Sequence, residues 1–255
     1  MKQPLLELFK FRKRQEPVII FLHIPKTAGT TLQTIINKQF KREYVYELDN
    51  SNAQKSMEKF QHLPDSEKQK YKVILGHMWF GLHRYLPRAS TYITVLRDPV
   101  DRVVSHYYFV KRRKDHYLHD IVESQRLSLK EYIENGLSTE LNNGQTRLLS
   151  GCIDEKAYPF GKCPGALLEQ AKKNLDRYFS IVGIQEEFTD TLSLIRKVLG
   201  WSTPDFKENV TVNRPPKDEI PAETVAIIRH FNQLDIELYG YARRIFTDLK
   251  QSHLE

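Results

Sequence analysis

Lys26, Gly29 and the three threonines Thr27, Thr30 and Thr31 crowd into one short stretch directly after the apolar run Val18-Ile19-Ile20-Phe21-Leu22. A lysine supplies a point positive charge, a glycine lets backbone approach a ligand closely, and hydroxyls add donors beside backbone N–H groups. Together they make a phosphate site. The alternative is an ordinary turn with a surface lysine. A second set is Arg97 with Ser105. An arginine fork can grip a phosphate through two parallel hydrogen bonds, and a hydroxyl eight residues on can add a third. Its alternative is an Arg97-Asp98 surface ion pair. The third candidate is His77, one of nine histidines, whose imidazole has an unperturbed pKa suited to general-base work near neutrality. Its alternative is a structural histidine.

These residues need a scaffold that brings them to one edge. Val18 to Leu22 is unbroken, apolar and rich in β-branched residues, as a strand buried on both faces of a parallel sheet should be. Leu32, Ile35, Ile36 and Phe40 then recur at helical spacing. A strand turning sharply into a helix leaves the first helical N–H groups pointing into the crevice at the sheet's C-terminal edge. Further strands are expected at Tyr44–Leu48, Tyr71–Gly76, Thr91–Leu96 and Phe179–Gly183. His77 and Arg97 therefore stand just past strand ends, at the same edge as Lys26.

Helices are expected over Val100–Arg113, from the capping box Ser128-Leu129-Lys130-Glu131 to about Asn135-Gly136, over Thr139–Leu149, Ala166–Tyr178 and Glu186–Leu199, and as one long helix opened by Pro221. Strands alternating with helices define an α/β fold, a mostly parallel central sheet with helices on both faces. Residues 1–16 read as an N-terminal arm or short helix and residues 17–250 as a single domain. Trp201 to Ile220, with Pro204, Pro215 and Pro216, reads as a long functional loop.

Composition narrows the class. The chain has 255 residues, enough for one sizeable domain, and a formal charge of +7, which suits a protein that handles anions. No nucleic-acid motif accompanies that charge. No stretch reaches the ~20 apolar residues of a membrane span, and a cytoplasmic location is expected. Cys152 and Cys163 flank a loop with prolines and glycines and read as two thiols rather than a disulfide. No Cys/His spacing marks a metal site.

The loop His23-Ile24-Pro25-Lys26-Thr27-Ala28-Gly29-Thr30-Thr31 is not a Walker A loop, whose lysine follows its second glycine. It resembles the 5′-phosphosulfate loop of sulfotransferases that use 3′-phosphoadenosine 5′-phosphosulfate, PAPS, in particular the carbohydrate branch with the heparan and uronyl 2-O-sulfotransferases. The stretch Tyr92 to Phe109, with Arg97-Asp98-Pro99, Arg102 and Ser105, is similar to that family's 3′-phosphate motif. Asn143-Gly144-Gln145-Thr146-Arg147 resembles a further stretch of the 2-O relatives, and the likeness spans about Pro17 to Ala242. Gly76-His77 is similar to the family's H-G-H segment, with Leu75 in place of its first histidine.

The resemblance implies a three-layer, P-loop-like sulfotransferase fold and a sulfuryl transfer from PAPS to a hydroxyl, of a saccharide acceptor above all. It implies that Lys26, Thr27, Ala28, Gly29, Thr30 and Thr31 hold the 5′-phosphosulfate, that Arg97 and Ser105 hold the 3′-phosphate, and that His77 is the base. No metal is required, because Lys26 and the loop N–H groups can stabilise the leaving phosphate. His23 is expected to hydrogen-bond the loop in place. Lys207, Asn209, Asn213 and Arg214 could cover the nucleotide, Arg147 could touch cofactor or acceptor, and Lys111-Arg112-Arg113-Lys114 is either a solvated helix end or an acceptor site for an anionic sugar. Two rivals stay open: a nucleotide kinase, which needs a carboxylate such as Asp98 to hold Mg²⁺, and a non-catalytic polyanion-binding protein.

Overall fold

The computed structural model describes residues 16–152, 154, 156–203 and 219–254. Residues 1–15 of the N-terminal arm, and the loop positions Lys207, Asn209, Asn213 and Arg214, lie outside them. In chain order the elements are β1 (Val18–Leu22), α1 (Gly29–Gln39), β2 (Val45–Glu47), α2 (Ala53–Gln61), α3 (Asp65–Lys68), β3 (Val73–Gly76), β4 (Ser90–Leu96), α4 (Pro99–Arg112), α5 (His119–Ser124), α6 (Leu129–Glu134), α7 (Gly144–Ser150), α8 (Gly165–Tyr178), β5 (Phe179–Ile184), α9 (Phe188–Leu199), α10 (Ala222–Phe231) and α11 (Gln233–His253). The strands form one sheet in the order β2-β3-β1-β4-β5, and every pairing is parallel.

β1 is central because its side chains are apolar on both faces. Ile19 and Phe21 pack with Val73, Leu75, Ile93 and Val95 under α1 and α9. Val18, Ile20 and Leu22 pack with Ile74, Tyr92 and Val182 under α2, α8 and α11. Helices thus cover both faces, as a parallel sheet requires. A third cluster, built on Val100, Val103, Val104 and Tyr107 of α4, gathers α5, α6 and α10. The chain leaves β1 toward β2 on one side and leaves β4 toward β5 on the other. Their C-terminal ends therefore flank the crevice where open α/β sheets bind ligands.

The expected helix over Thr139–Leu149 is two pieces, a 3₁₀ turn at Thr139–Leu141 and then α7. Asn143 between them is left-handed at φ 52°, and the terminal helix is likewise broken, at Asn232, into α10 and α11. The two breaks hold each other. The Asn143 N–H donates to Asn232 Oδ1 at 3.0 Å, while Asn143 Oδ1 accepts from the N–H groups of Leu234 and Asp235 at 2.9 and 3.1 Å. Pro221 is the N-cap of α10 rather than its first helical residue. α5 was not anticipated at all. The capping box at α6 is present: the Ser128 N–H donates to Glu131 Oε2 at 2.8 Å and the Glu131 N–H to Ser128 Oγ at 3.3 Å. Ser128→Ala is expected to cost about 1 kcal/mol, lowering the thermal midpoint by about 2–4 °C in a scanning melt. No helix among the described residues is long and apolar enough to cross a membrane.

Candidate active site

The loop between β1 and α1 is built to present N–H groups. Lys26 and Ala28 adopt left-handed backbone at φ 70° and 64°, a conformation that costs a non-glycine residue about 1 kcal/mol or more and persists where the surroundings impose it. Alternating left-handed residues turn successive N–H groups into one concavity, an anion-binding nest. Ala28 is the N-cap of α1 and supplies no side-chain cap, so the first N–H groups of the helix stay directed at the crevice. The Thr27 hydroxyl is spent internally, donating to Ile24 O at 2.8 Å. Thr27 therefore offers a ligand its N–H rather than the side chain expected of it. Thr30 is exposed and Thr31 half-buried on the first turn of α1.

Gly29 is a glycine for a reason other than the expected one. A Cβ there would lie 1.8 Å from Nε2 and 1.9 Å from Cδ2 of His23. The His23 imidazole, 8% exposed, stacks on Phe21 at 5.4 Å and lies edge-on to His77 at 4.7 Å. Burial, with the neighbouring charges of His77 and Lys26, pulls its pKa down to about 3, so it is neutral. It makes no hydrogen bond to the loop; its Nδ1 is buried without a partner among the described residues. His23 supports the loop by packing.

Arg97 leaves β4 and reaches the loop, its Nη1 donating to Lys26 O at 3.1 Å. Its backbone is clamped from both sides by Gln145 of α7: the Arg97 N–H donates to Oε1 at 3.0 Å, and Nε2 donates to Arg97 O at 2.9 Å. Asp98 caps α4, accepting from the Asp101 N–H at 3.0 Å, while its own N–H donates to Glu186 Oε1 at 2.9 Å. Its carboxylate thus serves the helix. Ser105 sits two turns into α4, buried at 1% exposure.

On the other side of Lys26 opens a cavity of about 550 Å³ whose walls include Lys26, His77, Trp79, Phe109, Tyr117 and Glu140. Arg97 and Ser105 do not line it. Lys26 joins the two regions, its ammonium 3.8 Å above the Phe109 ring. Burial first, then the charges of Arg112, Arg97 and Arg113, lower its pKa to about 8 against a raising influence from Glu140. Four cations converging on one loop make a field that a bound anion would relieve. The His77 N–H donates to Asn50 Oδ1 at 2.7 Å, which fixes the residue just past β3. Burial lowers its pKa below the ordinary histidine value, Glu140 raises it, and Lys26 lowers it further.

Other expected residues are placed differently. The Arg147 guanidinium is taken up by Asn142 O, Asn142 Oδ1, Tyr158 O and Pro159 O at 2.8, 2.9, 2.6 and 3.2 Å, which braces the chain, and the residue also lines the cavity. In the basic run, Lys111 pairs with Glu123 at 3.7 Å and Arg113 with Asp115 at 2.7 Å; Arg113 alone of the four lines the cavity. Cys152 and Cys163 are both thiols. Glu140, Asn50 and Gln145 were missed as site residues. Asn50 stands past the end of β2, the position that flagged His77 and Arg97 after their strands, so the same rule would have found it. Gln145 lies in the Asn143-to-Arg147 stretch singled out by resemblance, without a role.

A parallel sheet with an anion nest after β1, an arginine after β4 and a histidine after β3 defines an α/β group-transfer enzyme acting on a phosphate-bearing donor. The galactose-3-O-sulfotransferase family model matches residues 7–251, and the chain belongs to that family, a sulfotransferase. It is 28% identical to human (Homo sapiens) heparan-sulfate 6-O-sulfotransferase 1 over 95% of this chain and 68% of that protein. It is 27% identical to chicken (Gallus gallus) heparan-sulfate 6-O-sulfotransferase 2 over 97% and 71%. These matches bear out the carbohydrate sulfotransferase expected; the family and the relatives named here carry 3-O and 6-O designations, so the 2-O designation was imprecise. The crystal structure of mouse sulfotransferase SULT7A1 complexed with PAP aligns with a TM-score of 0.44 and 14% identity, covering 97% of this chain and 93% of that one.

Proposed function

We propose that the protein transfers a sulfuryl group from PAPS to a hydroxyl of a saccharide, with His77 as general base and Lys26 stabilising the leaving phosphate. One observation carries this reading: Lys26, in contact with Arg97 on one side, shares a cavity with His77 on the other. A donor held along the nest and Arg97 would put its transferable group where Lys26 meets the cavity, and an acceptor hydroxyl entering the cavity would meet His77.

The residues fit the donor. The nest and the N-terminus of α1 suit a 5′-phosphosulfate beside Lys26, and Arg97 with Ser105 suits a 3′-phosphate. Bound PAPS supplies an activated sulfuryl group on a good leaving phosphate. This chain's part is to hold it, to keep Lys26 charged against the phosphate as the S–O bond breaks, and to take the acceptor's proton on His77. Trp79, Phe109 and Tyr117 give the cavity apolar faces against which a sugar ring packs. The relatives' names give heparan sulfate, and the family's gives galactose; both are saccharides. A kinase reading fares worse, because the Asp98 carboxylate it would need for Mg²⁺ caps α4.

The test is calorimetric titration without magnesium of 3′-phosphoadenosine 5′-phosphate, PAP, against ADP. PAP is expected to bind more tightly, and Arg97→Ala to weaken it roughly ten- to a hundredfold, the worth of charged hydrogen bonds. ADP binding as well as PAP, or binding only with Mg²⁺, would sink the sulfotransferase donor site.

A further inference from the structure

Glu140 belongs to no motif, yet it is a carboxylate in the wall of the cavity that also holds His77 and Lys26. It sits in the 3₁₀ turn Thr139–Leu141, and α4 pins it at both ends. Its main-chain oxygen accepts from Arg102 Nη2, and Arg102 in turn lies 3.9 Å from the buried Asp235. Its Oε2 lies 3.2 Å from His106 Nε2. A carboxylate only accepts, so His106 carries its proton on Nε2. His106 Nδ1 then meets the hydroxyl of Tyr132 at 2.9 Å, at the bottom of the α4 cluster. The chain Tyr132–His106–Glu140 ends in the cavity, where the Glu140 side chain is 38% exposed and shares walls with His77 and Lys26.

The charges around this carboxylate come from separate elements. His106 and Arg102 on α4, His77 after β3, Lys26 in the phosphate loop and His116 before α5 all act on it or feel it. Burial alone would raise its pKa, but the hydrogen bond from His106 and the charges of His106, Arg102 and His77 hold it near 2, so it is anionic throughout the working range. His77 is faced by Glu140, Lys26 and His23. His23 is neutral and Lys26 opposes a positive charge on His77; Glu140 is the group that favours one.

We infer that Glu140 is a positioning residue for sulfuryl transfer, a fixed negative charge that stabilises the imidazolium His77 becomes. The step balances without it. The acceptor O–H gives its proton to His77, the acceptor oxygen bonds to sulfur, and sulfur's bond to the nucleotide's 5′-phosphate oxygen breaks. The electron pair of that bond leaves with the phosphate, facing Lys26. No bond to Glu140 forms or breaks. It acts on the cation His77 turns into, so its effect is felt in the transition state, where that charge develops.

The inference rests on His77 as base, and its test separates the two. In the whole protein, Glu140→Gln keeps the shape and an acceptor for His106 while removing the charge; Glu140→Asp keeps the charge. The His77 imidazole is titrated by NMR in ligand-free protein, assigned by its loss in His77→Ala, and turnover of PAPS with heparan sulfate or a terminal galactoside is followed against pH. Expected for Glu140→Gln are a His77 titration and an acid limb of the rate profile both displaced to lower pH, kcat down roughly tenfold or more, and unchanged PAP affinity. Glu140→Asp is expected to restore titration and most of the rate. An unmoved His77 titration in Glu140→Gln, or a loss appearing only as raised KM for the acceptor, overturns the inference while His77 stands as base. Undiminished turnover in His77→Ala overturns both.

Discussion

His77→Ala is expected to lower sulfuryl transfer roughly a hundred- to ten-thousandfold, the usual worth of a positioned general base, while PAP binds as tightly as to the wild type. The split follows from geometry. His77 lies on the cavity side of Lys26, whereas the nest and Arg97 lie behind it. Truncating the ring leaves the backbone bond to Asn50 Oδ1, and with it the end of β3, in place. Loss of PAP affinity to the same extent as turnover would mean that the ring serves the donor site, and retained turnover would remove it from the chemistry.

On the proposed mechanism, His77 and Lys26 are expected to set the pH profile of kcat/KM for PAPS. His77 must be neutral to take a proton, and burial holds its pKa below the ordinary 6.5, so the rate rises with pH on an acid limb below neutrality. Lys26 must be charged to meet the phosphate, and its pKa is lowered to about 8, so the rate falls as pH rises through about 8. In the kcat profile that basic limb moves upward, because a bound phosphate favours the charged lysine. His77→Ala should abolish the acid limb and leave the basic one. A basic limb that persists in Lys26→Met would exclude Lys26 as its source.

The inner strands β1, β3 and β4 were legible because each is a mainly apolar run closed by a residue that favours an end: Pro25 after β1, Gly76 in β3, Pro99 after β4. A parallel sheet then forces the strand ends to one edge, and this is why Lys26, His77 and Arg97 could be placed there from sequence. The breaks at Asn143 and Asn232 could not be. Each is stabilised by the other asparagine some ninety positions away, and local periodicity carries no trace of so distant a partner. Both segments read as continuous helices in consequence.

Glu140 was hidden for the same reason. It fell inside the misread helix, where a glutamate is an ordinary solvent-facing residue, and only the approach of α4 through Arg102 and His106 makes it a cavity residue. Gly29 shows the converse, a correct residue with a different cause. Its position in a phosphate loop implied room for a ligand; the structure gives the room to a histidine six positions earlier.

Gly29→Ala should therefore fail through His23 rather than through the ligand. The added methyl would sit 1.8 Å from the ring, far inside any van der Waals contact. The ring has little freedom to yield: Phe21 is stacked on it and His77 lies edge-on. The loop must move instead, and with it the N–H groups of the nest. Overpacking of this kind costs about 1–3 kcal/mol or more, so the thermal midpoint should fall by several degrees and PAP affinity with it. Removing the obstruction should undo part of the damage. His23→Ala alone leaves a hole in a packed interior and destabilises, yet combined with Gly29→Ala it makes space for the new methyl. The double variant should therefore be more stable than the two single losses summed, by about 1–3 kcal/mol of coupling for residues in contact, and should recover PAP binding relative to Gly29→Ala. Strict additivity in thermal and calorimetric data would mean that Gly29 answers to the ligand after all, since deleting the ring could not then relieve what the methyl disturbs.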